Sequence, residues 1–301
     1  MASLDHTARL RRGPGIGTLL ALGAACVLAA CQTSGFPGLP SLPNPATATE
    51  GESTRYAASP DNIASLTAVV QRNPNDPQAY NVRGSVYGQA GRYQEALADF
   101  NKAISLDPNF AQAYANRGLI HRQTNKPDLA FADYNKAIAL DPNYAPAYIG
   151  RGIIYRIRKQ ALNAFNDFNK AISLRPDNAQ GYYNRGLLYQ GQRQYQYAID
   201  DFSTAVGLSP NEVEPLVARA QCYMAVKDYK AAAGDLDNAV TIDANSLQAW
   251  TNRGLAYERL NDKERAAASY AKALAINKDY EPAKTGFSRV GGQYGLSYET
   301  F

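Results

Sequence analysis

The sequence predicts an all-α fold, a solenoid of repeated helical hairpins, and three observations support that prediction. First, a short signature built around an arginine recurs at steps of 34 residues, at Arg83, Arg117, Arg151, Arg185, Arg219 and Arg253. Second, each unit carries two apolar faces with the three- and four-residue spacing of a helix. Third, a proline recurs near the end of the units and disfavours helix in the residue before it, at Pro108, Pro142, Pro176 and Pro210.

The composition is that of a chain that can bury a core but offers little for catalysis. Its 301 residues are 45% hydrophobic, enough for one large domain or two ordinary ones. A formal net charge of +4, without a dense basic stripe, disfavours nucleic acid as a partner. Three cysteines and two histidines cannot supply the clustered ligands of a structural zinc site. We therefore expect no metal and no cofactor.

The amino-terminal segment, residues 1–30, has the pattern of a signal peptide. Arg9, Arg11 and Arg12 form a basic segment, and an apolar run follows from residue 18 to residue 30. That run is too short to cross a bilayer as a helix, which takes about 20 residues. Twin-arginine export is the alternative suggested by the adjacent arginines.

A cysteine follows the apolar run directly. Leu28, Ala29, Ala30 and Cys31 resemble the lipobox of bacterial lipoproteins, in which small residues precede a cysteine. The resemblance implies that Cys31 is lipidated and becomes the first residue of the mature chain, held to a membrane by its acyl chains. Because Gln32 rather than aspartate comes next, the resemblance also implies the outer membrane, with the chain facing the periplasm. The alternative is an ordinary secretory leader cut after Ala30, with no role for Cys31.

Residues 31–59 are predicted to form an extended tether. The segment is rich in Pro, Gly, Ser, Thr and Ala, with prolines at Pro37, Pro40, Pro43 and Pro45. Such a tether would let the folded part stand away from the membrane.

The remaining chain divides into a half repeat, six full repeats and a carboxyl cap. Residues 60–76 have the phase of a second helix alone and are predicted to cap the amino end. Residues 77–280 hold six units of 34 residues without an insertion. Residues 281–301 are predicted to form a short capping helix and an irregular tail.

The pattern inside each unit resembles the tetratricopeptide repeat. In that family a large residue, a Gly and a Tyr are followed by A-x3-F and then by a proline. The first unit shows Tyr80, Gly84 and Tyr87, then Ala96 and Phe100. Small residues at Gly84 and Ala96 would let the two helices approach closely, where larger side chains would overpack by about 1–3 kcal/mol. The resemblance implies a right-handed solenoid whose first helices line a concave groove.

One departure from the family pattern is systematic. Every unit carries an arginine before the small residue, and on the facing helix five units carry an acid, at Asp99, Asp133, Asp167, Asp201 and Asp235, while the sixth has Ser269. These positions lie nearly opposite each other in an antiparallel hairpin. We therefore expect a ladder of partly buried arginine–carboxylate pairs, either within a unit or between adjacent units. The alternative is a basic strip that binds an anionic ligand.

No constellation of residues predicts catalysis. His6 lies in the leader, and His121 takes a position that the sister units give to tyrosine, so we expect a core histidine rather than a ligand or base. Cys222 replaces an inward apolar residue and is expected to be buried. With no Ser/His/Asp or Cys/His set and no phosphate-binding glycine loop, we expect the protein not to be an enzyme.

The candidate binding residues fall on the first helices. Carried over by repeat position from the family, the groove lining includes Leu119, Arg122, Ile149, Ile153, Arg156, Ile157, Tyr183 and Leu187. An apolar strip with charged flanks usually marks an interaction surface. The alternative is that Ile153 and Leu187 only pack against neighbouring units. The Lys and Asn clamp by which chaperone-binding members hold a chain terminus is not matched, since the corresponding residues are Asn81, Ser85, Asn116, Pro146 and Gly150.

These features predict an outer-membrane lipoprotein that acts as a scaffold or adaptor. Its groove would bind an envelope protein or peptide, and its lipid anchor would hold it to the membrane. The combination of lipidation and repeats resembles the NlpI-type lipoproteins, which bring a protease to cell-wall hydrolases, although the partner does not transfer with the resemblance. The alternative is an assembly factor for an outer-membrane machine, of the pilotin or porin-insertion type.

Overall fold

The computed structural model describes residues 59–292, and every regular element within them is an α-helix. Helix α1 (Pro60–Arg72) precedes six helical hairpins and α14 (Glu281–Arg289) follows them. The hairpins are α2 (Pro77–Gln89) with α3 (Tyr93–Leu106), α4 (Ala111–Gln123) with α5 (Pro127–Leu140), α6 (Ala145–Ile157) with α7 (Ala161–Leu174), α8 (Ala179–Gly191) with α9 (Tyr195–Leu208), α10 (Val213–Ala225) with α11 (Tyr229–Ile242), and α12 (Leu247–Arg259) with α13 (Lys263–Ile276).

The predicted all-α solenoid of helical hairpins is confirmed. We call the hairpins repeats 1 to 6 and their members the first and second helices, and we count positions from residues 77, 111, 145, 179, 213 and 247. The predicted signal peptide, Cys31, most of the tether and the tail after residue 292 lie outside the described residues. Between residues 59 and 292, no helix is long and apolar enough to span a bilayer.

A left-handed residue at position 15 follows every first helix. Gly91 has a φ of +73°, and the equivalent residues with positive φ are Asn125, Lys159, Arg193, Lys227 and Asn261. The next residue then donates its backbone N–H to a carbonyl five residues earlier, as Gln160 does to Tyr155 at 2.8 Å. This terminating turn satisfies carbonyls that the helix leaves free. It gives all six hairpins a connection of the same length.

The second helices end at the same position in all six repeats, with or without a proline. Repeats 1 to 4 have proline at position 32, whereas repeats 5 and 6 have Ala244 and Lys278 there. In those two repeats Asp243 and Asn277 follow the helix, and the side chain of each accepts a hydrogen bond from the backbone N–H two residues on, at 2.9 and 3.0 Å. Such a side-chain turn competes with further helix. It therefore stops the chain where the proline is missing.

Small residues hold the two helices of each hairpin close together. A Cβ built on Gly152 would lie 2.6 Å from the ring of Phe168, which is fully buried. Repeat 5 has Ala220 instead of glycine, and it faces Leu236 instead of an aromatic ring. The extra methyl group on one helix is thus matched by a smaller side chain on the other.

The first helices form the inner side of the stack. Successive first helices contact one another along residues 77–289, whereas successive second helices make almost no such contacts in this part of the chain. A stack in which one row of helices is closer together than the other curves toward the closer row. The first helices therefore line the inner surface and the second helices the outer one.

Candidate functional site

The arginine at position 7 of repeats 1 to 5 pairs with the aspartate at position 23 of the same repeat. In repeat 3, Nε of Arg151 donates to Oδ2 of Asp167 at 2.8 Å and Nη2 donates to Oδ1 at 2.7 Å. The same two-bond geometry joins Arg83 to Asp99, Arg117 to Asp133, Arg185 to Asp201 and Arg219 to Asp235. Paired bonds of this kind fix orientation as well as adding energy.

Each of these guanidinium groups also reaches the preceding unit. Nη1 of Arg151 donates to Oδ1 of Asn135, at position 25 of repeat 2, at 2.9 Å. The equivalent acceptors for the other ladder arginines are Thr67, Asn101, Asn169 and Ser203. The ladder therefore joins atoms both within a unit and between adjacent units, the two arrangements that the sequence left open.

Repeat 6 reverses this arrangement. Nε of Arg253 donates to Oδ1 of Asp237, at position 25 of repeat 5, at 2.6 Å, and Nη1 donates to the Ser269 hydroxyl at 2.7 Å. The acid and the uncharged acceptor have exchanged places. Asp237 was not among the predicted residues, although an acid gained at position 25 beside an acid lost at position 23 was a signal for it.

The ladder arginines are engaged on several sides. The hydrogen bond to aspartate is the main effect on their pKa values and raises them, against the opposing effect of burial. Tyrosine rings lie above and below; the guanidinium carbon of Arg151 is 5.6 Å from the ring centre of Tyr148 and 5.8 Å from that of Tyr155. A charge held this way supports the fold. It is not presented as a strip for an anionic ligand.

The predicted groove residues differ in exposure. Leu119 and Ile157 are exposed, at 37% and 58%. The other predicted apolar residues are half-buried and pack against buried core side chains; these are Ile149, Ile153, Tyr183 and Leu187. Ile153, for example, packs against the cluster that contains Phe168 and Leu188. The apolar strip is thus shared between the core and the inner surface, so packing is part of its role.

Two cavities open on the inner side of the first helices. One of about 300 Å³ lies in repeats 1 and 2, with a lining that includes Ser85, Gly88, Asn116 and Leu119. The other, about 230 Å³, lies in repeats 4 and 5, with a lining that includes Tyr183, Leu187, Glu214 and Val217. Both are at or below the lower end of the size range of small-molecule sites. They suit individual side chains of a partner better than a cofactor.

The two predicted groove arginines, Arg122 and Arg156, share position 12 of repeats 2 and 3. Both are half-buried, and Nε of each is shielded from water without a hydrogen-bond partner. Burial lowers the pKa of Arg156, and the charge of Arg122 adds to that effect, while Tyr183 opposes it. These arginines therefore lack the carboxylates that the ladder arginines of the same helices have.

A tyrosine at position 24 of repeats 2 and 6 carries its ring over a glycine of the next helix pair. Tyr134 lies over Gly150 and Tyr270 over Gly286, and a Cβ on either glycine would collide with the ring. Where position 24 holds another residue, the position 16 residues later holds a larger side chain: Asn116, Asn184, Ala218 and Asn252. This coupling was not predicted, although the joint appearance of tyrosine and glycine at a spacing of 16 was visible in the sequence.

In both of these repeats the tyrosine lies close to the charged residue at position 12. The Tyr270 hydroxyl donates to Oε2 of Glu258 at 2.8 Å. Burial raises the pKa of Tyr134, and the neighbouring Arg122 partly opposes that shift. A residue of the second helix thus contributes a polar group next to the inner surface.

The remaining groups with possible chemistry lie in the core. Nε2 of His121 is 3.8 Å from Oδ2 of Asp133, and burial lowers the pKa of the imidazole. Cys222 is fully buried, and burial raises the pKa of its thiol to about 11, so the thiol is protonated at neutral pH. In the described part of the chain, no group of three or more His, Cys, Asp or Glu side chains could hold a metal ion.

Comparison with protein families identifies the repeats. Profiles described as tetratricopeptide repeat match residues 77–110, 111–144, 179–212 and 247–280, and a profile described as TPR repeat matches residues 154–193. Together these ranges cover more than half of the chain. They omit residues 213–246, the repeat in which Ala220 replaces the glycine. No curated protein sequence matches the chain.

Solved structures with similar folds support the same assignment. The Cut9–Hcn1 hetero-tetramer of the APC/C has a TM-score of 0.71 at 19% identity, over 79% of this chain and 48% of that one. This chain therefore spans about half the length of that relative. PilF of Pseudomonas aeruginosa has a TM-score of 0.64 at 20% identity, over 73% and 99%. YrrB, described as a TPR protein with an unusual peptide-binding site, has a TM-score of 0.51 at 26% identity, over 63% and 97%.

Proposed function

The chain belongs to the tetratricopeptide repeat family, and from that premise we propose that it is a scaffold that binds a partner protein through the inner surface of its repeats. The repeats of this family form protein-interaction scaffolds that are typically non-catalytic. The proposal goes further for this chain, because it assigns the binding to one surface and the partner to the bacterial envelope.

The observation that carries the proposal is the pair of inner cavities on either side of repeat 3. They are separated by the half-buried apolar residues Ile149 and Ile153, so small hollows and apolar surface alternate along the first helices. An extended segment of a partner could place successive side chains in such a row. The likeness to YrrB, whose description names a peptide-binding site, is consistent with this mode.

The envelope location rests on the sequence alone. The lipobox-like residues that end in Cys31, together with the tether after it, support a lipoprotein held at the outer membrane and facing the periplasm. Under this proposal Cys31 carries the acyl chains. Mass spectrometry of the amino-terminal peptide tests it directly: an acylated Cys31 is expected, and a free amino terminus at that residue would count against the lipoprotein assignment.

The binding proposal is tested by capture from an envelope extract with residues 32–301, which contain every helix of the structure. The test variant combines Ile149→Glu with Tyr183→Ala, and Leu162→Glu is the matched control, since Leu162 is 73% exposed on α7, a second helix. We expect an envelope protein that is retained by wild type and control and lost with the test variant, whose helicity is first checked by circular dichroism. Identical captures by all three proteins would contradict binding at the inner surface.

The alternative predicted from the sequence, an assembly factor, uses the same surface but differs in its cellular result. Loss of an assembly factor should deplete a porin or secretin from the outer membrane. Loss of an adaptor should instead change the turnover of a hydrolase while the membrane machines stay intact. Quantitative proteomics of a deletion strain distinguishes the two. The fold likeness to PilF favours neither, because it lies at 20% identity.

A further inference from the structure

Position 12 of the first helices is the place where the inner surface changes its charge. The residues there, from repeat 1 to repeat 6, are Gly88, Arg122, Arg156, Gln190, Met224 and Glu258. Gly88 lines the first inner cavity, which places this position on the inner surface. The chain therefore presents two adjacent cations in repeats 2 and 3 and an anion in repeat 6.

The anion of repeat 6 is satisfied inside the chain. Oε1 of Glu258 accepts a hydrogen bond from Nε of Arg289 at 2.8 Å, and Oε2 accepts from Nη2 of Arg289 at 2.8 Å and from the Tyr270 hydroxyl at 2.8 Å. Arg289 lies on α14, the capping helix, so the cap supplies the opposite charge. The hydrogen bonds from Arg289 are the main effect that lowers the pKa of Glu258.

The cations of repeats 2 and 3 are not satisfied in this way. The residue of repeat 3 that corresponds to Arg289 is Ile153, which cannot pair with Arg122. Neither Arg122 nor Arg156 forms an ion pair within residues 59–292, and the buried Nε of each has no hydrogen-bond acceptor. A buried charged donor without an acceptor costs free energy. The missing acceptor is therefore one that another molecule would bring.

We propose that Arg122 and Arg156 bind one acidic side chain, aspartate or glutamate, in an extended segment of the partner protein. The proposal rests on the proposed function and names the chemistry of its ligand. Guanidinium groups match the planar, two-oxygen geometry of a carboxylate. The half-buried apolar neighbours Ile149, Ile153 and Tyr183 shield the pair from water and strengthen it relative to a surface pair.

The position of the arginines favours an acid inside the segment over a chain-terminal carboxylate. One inner cavity lies in repeats 1 and 2 and the other in repeats 4 and 5, so the two arginines stand between them. A segment that continues past its acid on both sides can fill both cavities with apolar side chains. A chain that ended at the arginines would leave one of them empty.

The test uses residues 32–301 and a defined library of ten-residue peptides with acetylated and amidated ends. The central residue is fixed as Asp, Glu, Asn, Gln or Lys, and the other positions vary among Ala, Ser, Leu, Ile, Val, Phe and Tyr. A second set carries the acid at a free carboxyl terminus. We expect the Asp and Glu pools to bind about 10- to 100-fold more tightly than the Asn and Gln pools. That advantage should shrink at high salt, because screening weakens charge pairing.

Three variants show whether the preference belongs to these arginines. Arg122→Gln with Arg156→Gln should abolish the acid preference, while Arg259→Gln, which removes a charge from an exposed residue of α12, should leave it intact. Ile153→Glu should also abolish it, because the new carboxylate would take the place that Arg289 has opposite Glu258. Ile153→Gln is its uncharged control, and circular dichroism verifies that each variant is folded.

The outcomes separate this inference from the proposed function. Peptide binding without an acid preference, or a preference that survives the double arginine variant, would overturn the acidic subsite and leave peptide binding standing. Tight binding only by peptides with a free terminal acid would overturn it in favour of a chain terminus. No binding by any pool would overturn both.

Discussion

Two arginines on the same helix have opposite surroundings. On α6, Arg151 shares its three nitrogens among Asp167 and Asn135, whereas Arg156, five residues later, has a buried Nε without an acceptor. On α4 the same contrast separates Arg117 from Arg122. The difference shows that residue type alone does not assign a role. The arginine whose charge is matched inside the chain stabilises the fold, and the one whose charge is unmatched is available to a partner.

The largest effect is expected when a ladder arginine is left without its carboxylate. Asp167→Ala would leave Arg151 largely buried and unpaired, and we expect a loss of about 3–5 kcal/mol in the free energy of unfolding. The measurement is urea unfolding followed by circular dichroism. The control is Asp177→Ala, which breaks the exposed Arg175–Asp177 pair and should cost about 1 kcal/mol or less. Equal losses in the two variants would contradict a structural ladder.

A smaller effect, of opposite sign, is expected at the unmatched arginine. Arg156→Gln removes a charge that has no partner, so the free energy of unfolding should stay unchanged or rise by up to about 1 kcal/mol. Arg151→Gln on the same helix should lower it by several kcal/mol, since Asp167 would then be buried alone. The same unfolding measurement compares the two. A large loss from Arg156→Gln would place that residue among the structural arginines.

The smallest effect concerns His121, which lies on α4 between Arg117 and Arg122. Burial lowers its pKa in the folded chain, so the unfolded chain binds a proton more readily below the ordinary histidine pKa of about 6.5. The contribution to stability is therefore fully present above that pH and is lost as the pH falls below it. His121→Tyr, the residue of the sister repeats, should lose less stability between pH 7.5 and 5.5. Equal pH dependence of urea unfolding would argue against this role.

The sequence was sufficient for the helices because their pattern is local and repeated. The spacing of residues such as Gly84, Ala96 and Phe100 predicts both helices of a hairpin, and the 34-residue step predicts how hairpins follow one another. The ladder was also visible, since Arg83 and Asp99 recur together in five repeats. Whether it joined atoms within or between units was open, because a guanidinium group offers nitrogens in several directions and uses them for both.

The site was less accessible to prediction because it depends on contacts between units. The surroundings of Arg156 depend on helices of repeats 2 to 4 at once, so its missing acceptor cannot be read from its own repeat. Asp237 was overlooked for the same reason, since its partner Arg253 belongs to the next repeat. Half-burial of Ile153 likewise follows from the next hairpin, which brings Leu188 against it.

The reversed pairing at repeat 6 means that the repeats are not interchangeable modules. Excising repeat 2, 3 or 4 as a single block would still leave each position-7 arginine with an aspartate in its own repeat. Excising repeat 5 would set Arg253 against Ser203 on one side and Ser269 on the other, with no carboxylate at either. Repeats 5 and 6 thus form a two-unit cassette. Gene duplication, recombination or engineering that lengthens or shortens this chain would have to move them together.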